Sequence, residues 1–358
     1  MTPRRTRQVG KRGVVTGAAP VVVLRALGLG DVLIVVPALR GLRRRFPDQP
    51  LLLAGPRAPA QLLQQYGIVD GVLATPGLDA EPPGRGLNGH LAVNLHGRGP
   101  QSHRLLLTGN PSRLLAYANR EAAVPGPIWN SREHEVHRWC RLVAWGTGEA
   151  GSALCDPTDL FLEGGGRFLE GGDRGSAVPG AEAEGAGPRT GPIVIHPGSA
   201  SAARRWPAER FAAVAGTLAR HGNPVVVTGG SGEASMCRRL VSRAGLGPAA
   251  DLSGRLTLPN LVALLRRSRL LISADTGVAH LATAVRTPSV VLFGPVAPQL
   301  WGPLVDPHLH LVLWHGRPDE PGDPHAAVPD PSLLKITVRE TVQAALRQLV
   351  HAGDASFA

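Results

Sequence analysis

Six times along this chain a short apolar run breaks off into a loop that carries glycine. The loops are GLGD (28–31), HGRG (96–99), HPGSASAARRW (196–206), TGGSGE (228–233), SADTG (273–277) and FGP (293–295). Runs such as Val21–Leu24 are short and continuously apolar, which suits strands buried on both faces. Between them the period changes. Val32, Val35, Val36, Leu39 and Leu42 fall at helical spacing, with Arg40 and Arg43–Arg45 on the opposite side. Val136, Trp139, Leu142 and Val143 mark a second amphipathic helix, and Pro207 with Gly222 brackets a third. Strands alternating with helices predict parallel α/β sheets. Such sheets bind ligands in the loops at the carboxyl ends of their strands.

The alternation is interrupted once. Residues 163–191 are rich in Gly, Ala, Pro and Glu and hold few large apolar side chains, the composition of a flexible linker. It divides the chain into a basic disordered tail (1–18), a first Rossmann-like domain (19–162), the linker, a second Rossmann-like domain (192–330) and a C-terminal helix (331–358). That helix is expected to pack back toward the first domain.

Composition excludes several classes. The net charge is +11, carried almost wholly by arginine, since Lys11 and Lys335 are the only lysines. The arginines are scattered and aromatics make up 4%, which leaves little stacking surface for nucleic acid. Three cysteines without a C-x-x-C pair argue against a disulfide framework and fit a reducing cytoplasm. No run approaches the ~18 apolar residues of a membrane helix. The expectation is a cytoplasmic monomer, with a peripheral contact at the inner membrane surface.

The loops narrow the chemistry. The Asp-Thr-Gly triplet at 275–277 also occurs in aspartic proteases, but those need two carboxylates sharing a proton, and one triplet stands here between an apolar strand and a helix. The other reading is a helix cap in which Gly277 lets an anion approach the free N–H groups. In GLGD, the third glycine of a dinucleotide fingerprint would fall at Leu33, which disfavours a nicotinamide enzyme. Asp31 is then either a helix cap or a carboxylate at the mouth of a cleft, with a helix N-terminus favouring its ionised form. Arg204 and Arg205 beside a Gly/Ser loop are either phosphate ligands or surface charges. HEVH (134–137) lacks a third ligand at metal-site spacing, and there is no D-x-D, so no metal and no cofactor are expected.

Taken together, HPGS…RRWP, VVVTGG and ISADTGVAHLATAV…TPSVVLFGP, with LGLGDVLIVVPALRGLRRRFP upstream, resemble glycosyltransferase family 9, the ADP-heptose:lipopolysaccharide heptosyltransferases. The resemblance implies a GT-B fold, two Rossmann-like domains facing across a cleft. It implies inverting, metal-independent transfer of a heptose-like sugar from an ADP-sugar or other nucleotide-sugar, in envelope lipopolysaccharide biosynthesis. The acceptor is a hydroxyl of a glycan, glycolipid or metabolite. By the same resemblance Asp31 is the catalytic base. Ser199, Arg204, Arg205, Gly229, Glu233, Asp275, Thr276, Gly277 and His280 hold the donor. His96 and Arg98 fall where an acceptor loop should be. A nucleotide-sugar hydrolase or epimerase of the same fold, or a non-catalytic nucleotide-sugar binder, would keep the second-half loops without needing Asp31.

Overall fold

The computed structural model describes residues 18–87, 89–148, 154–163 and 189–354. Residues 1–17 of the expected tail (1–18) and 164–188 of the expected linker (163–191) lie outside them. Two five-stranded sheets, parallel throughout, form the frame.

The first sheet contains β1 (Val21–Leu24), β2 (Leu51–Gly55), β3 (Gly71–Ala74), β4 (Leu91–Asn94) and β5 (Arg113–Leu115), in the order β3-β2-β1-β4-β5. Its helices are α1 (Leu29–Ile34), α2 (Val36–Arg45), α3 (Arg57–Gln65), α4 (Gln101–Leu107) and α5 (Glu135–Thr147). The apolar period predicts one helix from Asp31 onward, and the structure breaks it at Val35. Pro37 has no N–H to donate to the carbonyl four residues back, so the ladder cannot run through that turn. α5 begins on His134, whose side chain accepts the Val136 N–H, and ends on Gly148 at φ 74°, the left-handed cap glycine adopts without strain.

The second sheet contains β6 (Ile193–His196), β7 (Val225–Val227), β8 (Leu270–Ala274), β9 (Ser289–Leu292) and β10 (His310–Leu313), in the order β10-β9-β8-β6-β7. Its helices are α6 (Ala208–Arg220), α7 (Ala234–Arg243), α8 (Leu258–Arg267), α9 (Gly277–Ala284), α10 (Pro298–Trp301), α11 (Pro331–Lys335) and α12 (Val338–Asp354). The expectation for the C-terminal helix is corrected here. Ala344, Ala345 and Leu349 of α12 join Ile193, Phe211 and Leu270 in the second domain's core. That sheet's outer face needs a cover, and only two residues separate α12 from α11, too few to reach the other domain. Among the described residues no helix is long and apolar enough to cross a membrane.

The strand orders locate the clefts. In each sheet the connections reverse direction once, between β1 and β4 in the first and between β6 and β8 in the second. Crevices open at such switch points, beyond the strands' carboxyl ends. The domains also share packing. One apolar cluster runs from Val21, Leu39 and Trp139 to Leu261, Leu281 and Val305. The crossing segment is tied to both sides. Arg40 donates to the carbonyls of Asp159 (2.7 Å) and Phe161 (2.9 Å), and Arg266 to that of Leu162 (2.5 Å). The Arg286 guanidinium lies 3.9 Å from the centre of the Phe161 ring.

Burial holds several imidazoles neutral. His96, His134 and His310 are pushed down to about 4, chiefly by burial, and His196 is also lowered. In the unfolded chain such groups take up protons near the ordinary value of 6.5. Between these limits the unfolded state binds more protons, so stability falls as pH drops from 6.5 toward 4. We expect the melting temperature to fall steadily over that window. Calorimetric unfolding at pH 5 should take up several protons, about one of them from each of His96, His134 and His310, and His310→Gln should reduce the uptake by about one. A melting temperature flat between pH 7 and pH 5 would contradict this account.

Candidate active site at the two switch points

The first switch point holds Arg25, Asp31 and His96. β1 delivers Arg25 directly beyond its last residue, and the Gly28 turn reverses the chain into α1. Gly28 is the N-cap of α1 and Asp31 lies within its first turn, so Asp31 does not cap the helix. Its side chain is 29% exposed, and Oδ1 accepts from Arg25 Nη2 at 3.0 Å. From across the switch point His96 approaches, its Nδ1 accepting the Ala26 N–H at 3.2 Å. This fixes the tautomer, with the proton on Nε2. Burial lowers the His96 pKa first, and the Arg25 charge adds to it, against Asp31. Arg98 is exposed, and its carbonyl accepts from Asn119 Nδ2 at 3.0 Å.

The second switch point holds the other loops. Thr276 caps α9, its Oγ1 accepting the Val278 N–H at 3.3 Å. Asp275, just before it, is 5% exposed. Its carboxylate lies 3.7 Å from Arg204 Nη1 and 3.9 Å from His280 Nε2. Burial raises the Asp275 pKa, opposed by His280 and Arg204, and burial lowers that of His280. The two arginines of RRW part company. Arg205 is exposed and turns onto its own loop, donating through Nε to the Ser199 carbonyl at 2.9 Å. Arg204 faces Asp275. The loop is clamped from outside, since the Ala203 N–H donates to Ala326 (3.2 Å) and the Ala203 carbonyl accepts from Asp330 (3.0 Å).

Glu233 links the neighbouring loops. Its Oε2 accepts the Gly230 N–H at 2.7 Å, and its carboxylate sits so close to Gly198 that a Cβ there would lie 2.1 Å from Oε1. Gly229 is also tight, with a Cβ falling 2.8 Å from Cys237 Sγ.

The two switch points meet. A Cβ on Gly277 would lie 2.9 Å from Leu29 Cβ and 3.0 Å from the Gly30 nitrogen, and one on Gly30 would lie 2.6 Å from His280 Cδ2. Only glycine on both sides lets α1 and α9 approach this closely. The closeness makes Asp31 an electrostatic neighbour of both Asp275 and His280. Beside the first turn of α5, His134 Nε2 donates to the Gly302 carbonyl across the seam at 3.0 Å.

Asp31, His96, Ser199, Arg204, Gly229, Glu233, Asp275, Thr276, Gly277 and His280 thus all lie at the strand ends around one cleft. Arg205 and Arg98 point their charges elsewhere or into solvent. The sequence reading missed Arg25, Ser201 and the clamp on Ala203. A single arginine closing an apolar run just before a Gly-Asp turn was the available signal for the first. Three buried polar atoms in the loop after β6 have no partner: Ser199 Oγ, Ser201 Oγ and Arg204 Nε. Buried donors are rarely left unmet, and all three lie in the loop that carries Arg204. Among the described residues no group of three or more His, Cys, Asp or Glu could hold a metal ion.

Residues 180–319 match the family model described as glycosyltransferase family 9 (heptosyltransferase). Lipopolysaccharide heptosyltransferase 3 of Escherichia coli K12 is 28% identical over 160 residues, 44% of this chain and 46% of that protein. Lipopolysaccharide heptosyltransferase 1 of Pseudomonas aeruginosa is 32% identical over 120 residues, 33% of each chain. The matched stretch therefore spans less than half the length of these curated relatives. Among solved structures, a family 9 glycosyltransferase from Veillonella parvula superposes with a TM-score of 0.67 at 21% identity, covering 93% of this chain and 97% of that one. The E. coli ADP-heptose LPS heptosyltransferase II gives 0.66 at 16% identity, covering 93% and 99%. The fold is GT-B, two parallel-sheet domains facing across a cleft.

Proposed function

We propose that this chain is a glycosyltransferase of family 9, the family whose model residues 180–319 match, and that it transfers a heptose-like sugar from an ADP-sugar or related nucleotide-sugar to a hydroxyl on a glycan, glycolipid or metabolite. The observation that carries the reading is the pairing of unlike switch points across the Gly30–Gly277 seam. One offers a half-exposed carboxylate, Asp31. The other offers Arg204, the start of α9 and three buried polar atoms without partners. A base facing an anion cradle is what displacement of a diphosphate by a hydroxyl requires.

The proposed step is inverting. Asp31 takes the proton of the acceptor hydroxyl as its oxygen forms a bond to the anomeric carbon. The bond from that carbon to the donor diphosphate breaks on the opposite side, and the nucleoside diphosphate leaves with the electron pair. Arg204 and the N–H groups at the start of α9 meet the charge that develops there, so the step as drawn uses no metal. Ser199, Gly229 and Glu233 hold the donor, and His96 offers its Nε2 proton to the acceptor. Arg98 also lies on the acceptor side. The reaction is drawn at the cytoplasmic face of a membrane, with the donor in solution.

The test is a panel of ADP-, GDP- and UDP-sugars scored for thermal stabilisation and slow donor hydrolysis. A ligand that binds only the folded state at about one hundred times its Kd adds about 2.7 kcal/mol of stability. We expect the ADP-sugars to stabilise most, ADP-heptose among them. Silence from the whole panel would count against the transferase reading and the hydrolase, epimerase and binding-protein readings alike.

A further inference from the structure

The most completely enclosed charge in the first domain has no part in the step above. Arg25 has a side chain 2% exposed, and it spends its whole guanidinium on nearby groups. Nε donates to the Asp31 carbonyl at 2.9 Å, Nη2 to Asp31 Oδ1 at 3.0 Å, and Nη1 to the Leu95 carbonyl at 2.6 Å. α5 supports it from behind. The guanidinium lies 5.0 Å from the centre of the Trp139 ring, and Glu135 Oε2 is 4.0 Å from Nη2. Glu135 is itself held by Arg138 and by the Trp139 indole, whose Nε1 donates to Oε2 at 2.6 Å. Burial pulls the Arg25 pKa down to about 10, against the attraction of Asp31, so it stays charged at neutral pH.

We propose that Arg25 is a positioning residue that aims the Asp31 carboxylate, holding Oδ1 and the backbone of the same residue so that Oδ2 alone is left to receive the acceptor's proton. The inference rests on the transferase reading. An ordinary surface ion pair would fix one oxygen and leave the side chain free to rotate. Here a planar fork grips both the carboxylate and the carbonyl of one residue, and a third contact to Leu95 fixes the fork to the strand across the switch point. Oδ2 faces the Gly28 turn, 3.6 Å from where a Cβ on that glycine would lie. The charged and titratable groups around the carboxylate are Arg25 from just beyond β1, His96 from beyond β4, and Asp275 and His280 from the second domain. Of these, Arg25 alone donates to it.

Arg25→Met and Arg25→Lys separate positioning from folding. ADP affinity by calorimetry reports the second domain, and turnover of ADP-heptose, by transfer or slow hydrolysis, reports the base. We expect Arg25→Met to bind ADP within about threefold of wild type and to lose about one hundredfold in kcat, the scale of a misplaced reacting group. Arg25→Lys keeps the charge without the fork and should fall between the two. Added methylguanidine should restore part of the Met variant's turnover. If Arg25→Met binds ADP normally and turns over within threefold of wild type, the inference is overturned. If that variant fails to fold, an Arg25→Lys protein with unchanged kcat overturns it instead. A wild-type protein that neither binds nor consumes any sugar of the ADP-, GDP- and UDP-panel refutes the functional reading, and this inference with it.

Discussion

Asp31→Asn should bind ADP as the wild type does and turn over at about one hundredth to one ten-thousandth of its rate, the range a positioned general base contributes. The substitution is nearly isosteric. The amide oxygen can still accept from Arg25 Nη2, now 3.0 Å from Oδ1, so α1 and its turn should hold their shape. What disappears is the acceptor for a proton. ADP titration and initial-rate measurement on the same preparation separate the two effects. The Asp31 side chain does not cap α1, which begins on Gly28 with no side-chain bond, so loss of a cap is not available as an explanation for lost turnover. Turnover within tenfold of wild type would remove Asp31 from the chemistry and favour the hydrolase or epimerase readings.

Legibility in the sequence followed burial. β1, β2, β4, β6, β8 and β9 are apolar runs buried along most of their length, and each could be read from its residues, as could β7, an edge strand made of three valines. β3, β5 and β10 could not. β3 and β10 have half-buried positions and lie at the sheet edges, and β5 is three residues long with Arg113 exposed. An edge strand is defined by its one neighbour more than by its own residues. The site divides in the same way. Asp31, Asp275 and Thr276 stand in turns whose glycines can be read locally. Arg25 looked like an interruption of an apolar run, because its partners Leu95, Glu135 and Trp139 lie 70 to 114 positions away (95 − 25 and 139 − 25). The roles of Arg204 and Arg205 could not be separated by spacing. That separation depends on Ala203, which is pinned by Ala326 and Asp330 from beyond β10. The placement of α12 was illegible for the opposite reason. Its apolar face is plain in the sequence, but nothing local says which of two sheets it covers.

Arg204→Met should weaken ADP binding by about tenfold to one hundredfold, the value of one charge-assisted hydrogen bond, and should lower kcat as well, because the same cation meets the departing diphosphate. The variant has a second consequence inside the protein. Asp275 is buried, and burial raises its pKa while His280 and Arg204 pull it back. Without Arg204 its remaining counter-charge is His280, which burial itself drives toward the neutral form. Part of the lost affinity would then come from an uncompensated carboxylate at the mouth of the cradle, repelling the diphosphate. Asp275→Asn removes that repulsion and also the partner that holds Arg204 at 3.7 Å. Alone it should cost ADP affinity by about threefold to tenfold, less than the loss of a direct charge-assisted bond. The double variant should be no weaker than Arg204→Met alone, because two residues acting through one contact do not add. Fully additive losses would mean that Asp275 and Arg204 meet the donor independently. The carboxylate at the head of α9 would then touch the ligand itself instead of aiming the arginine at it.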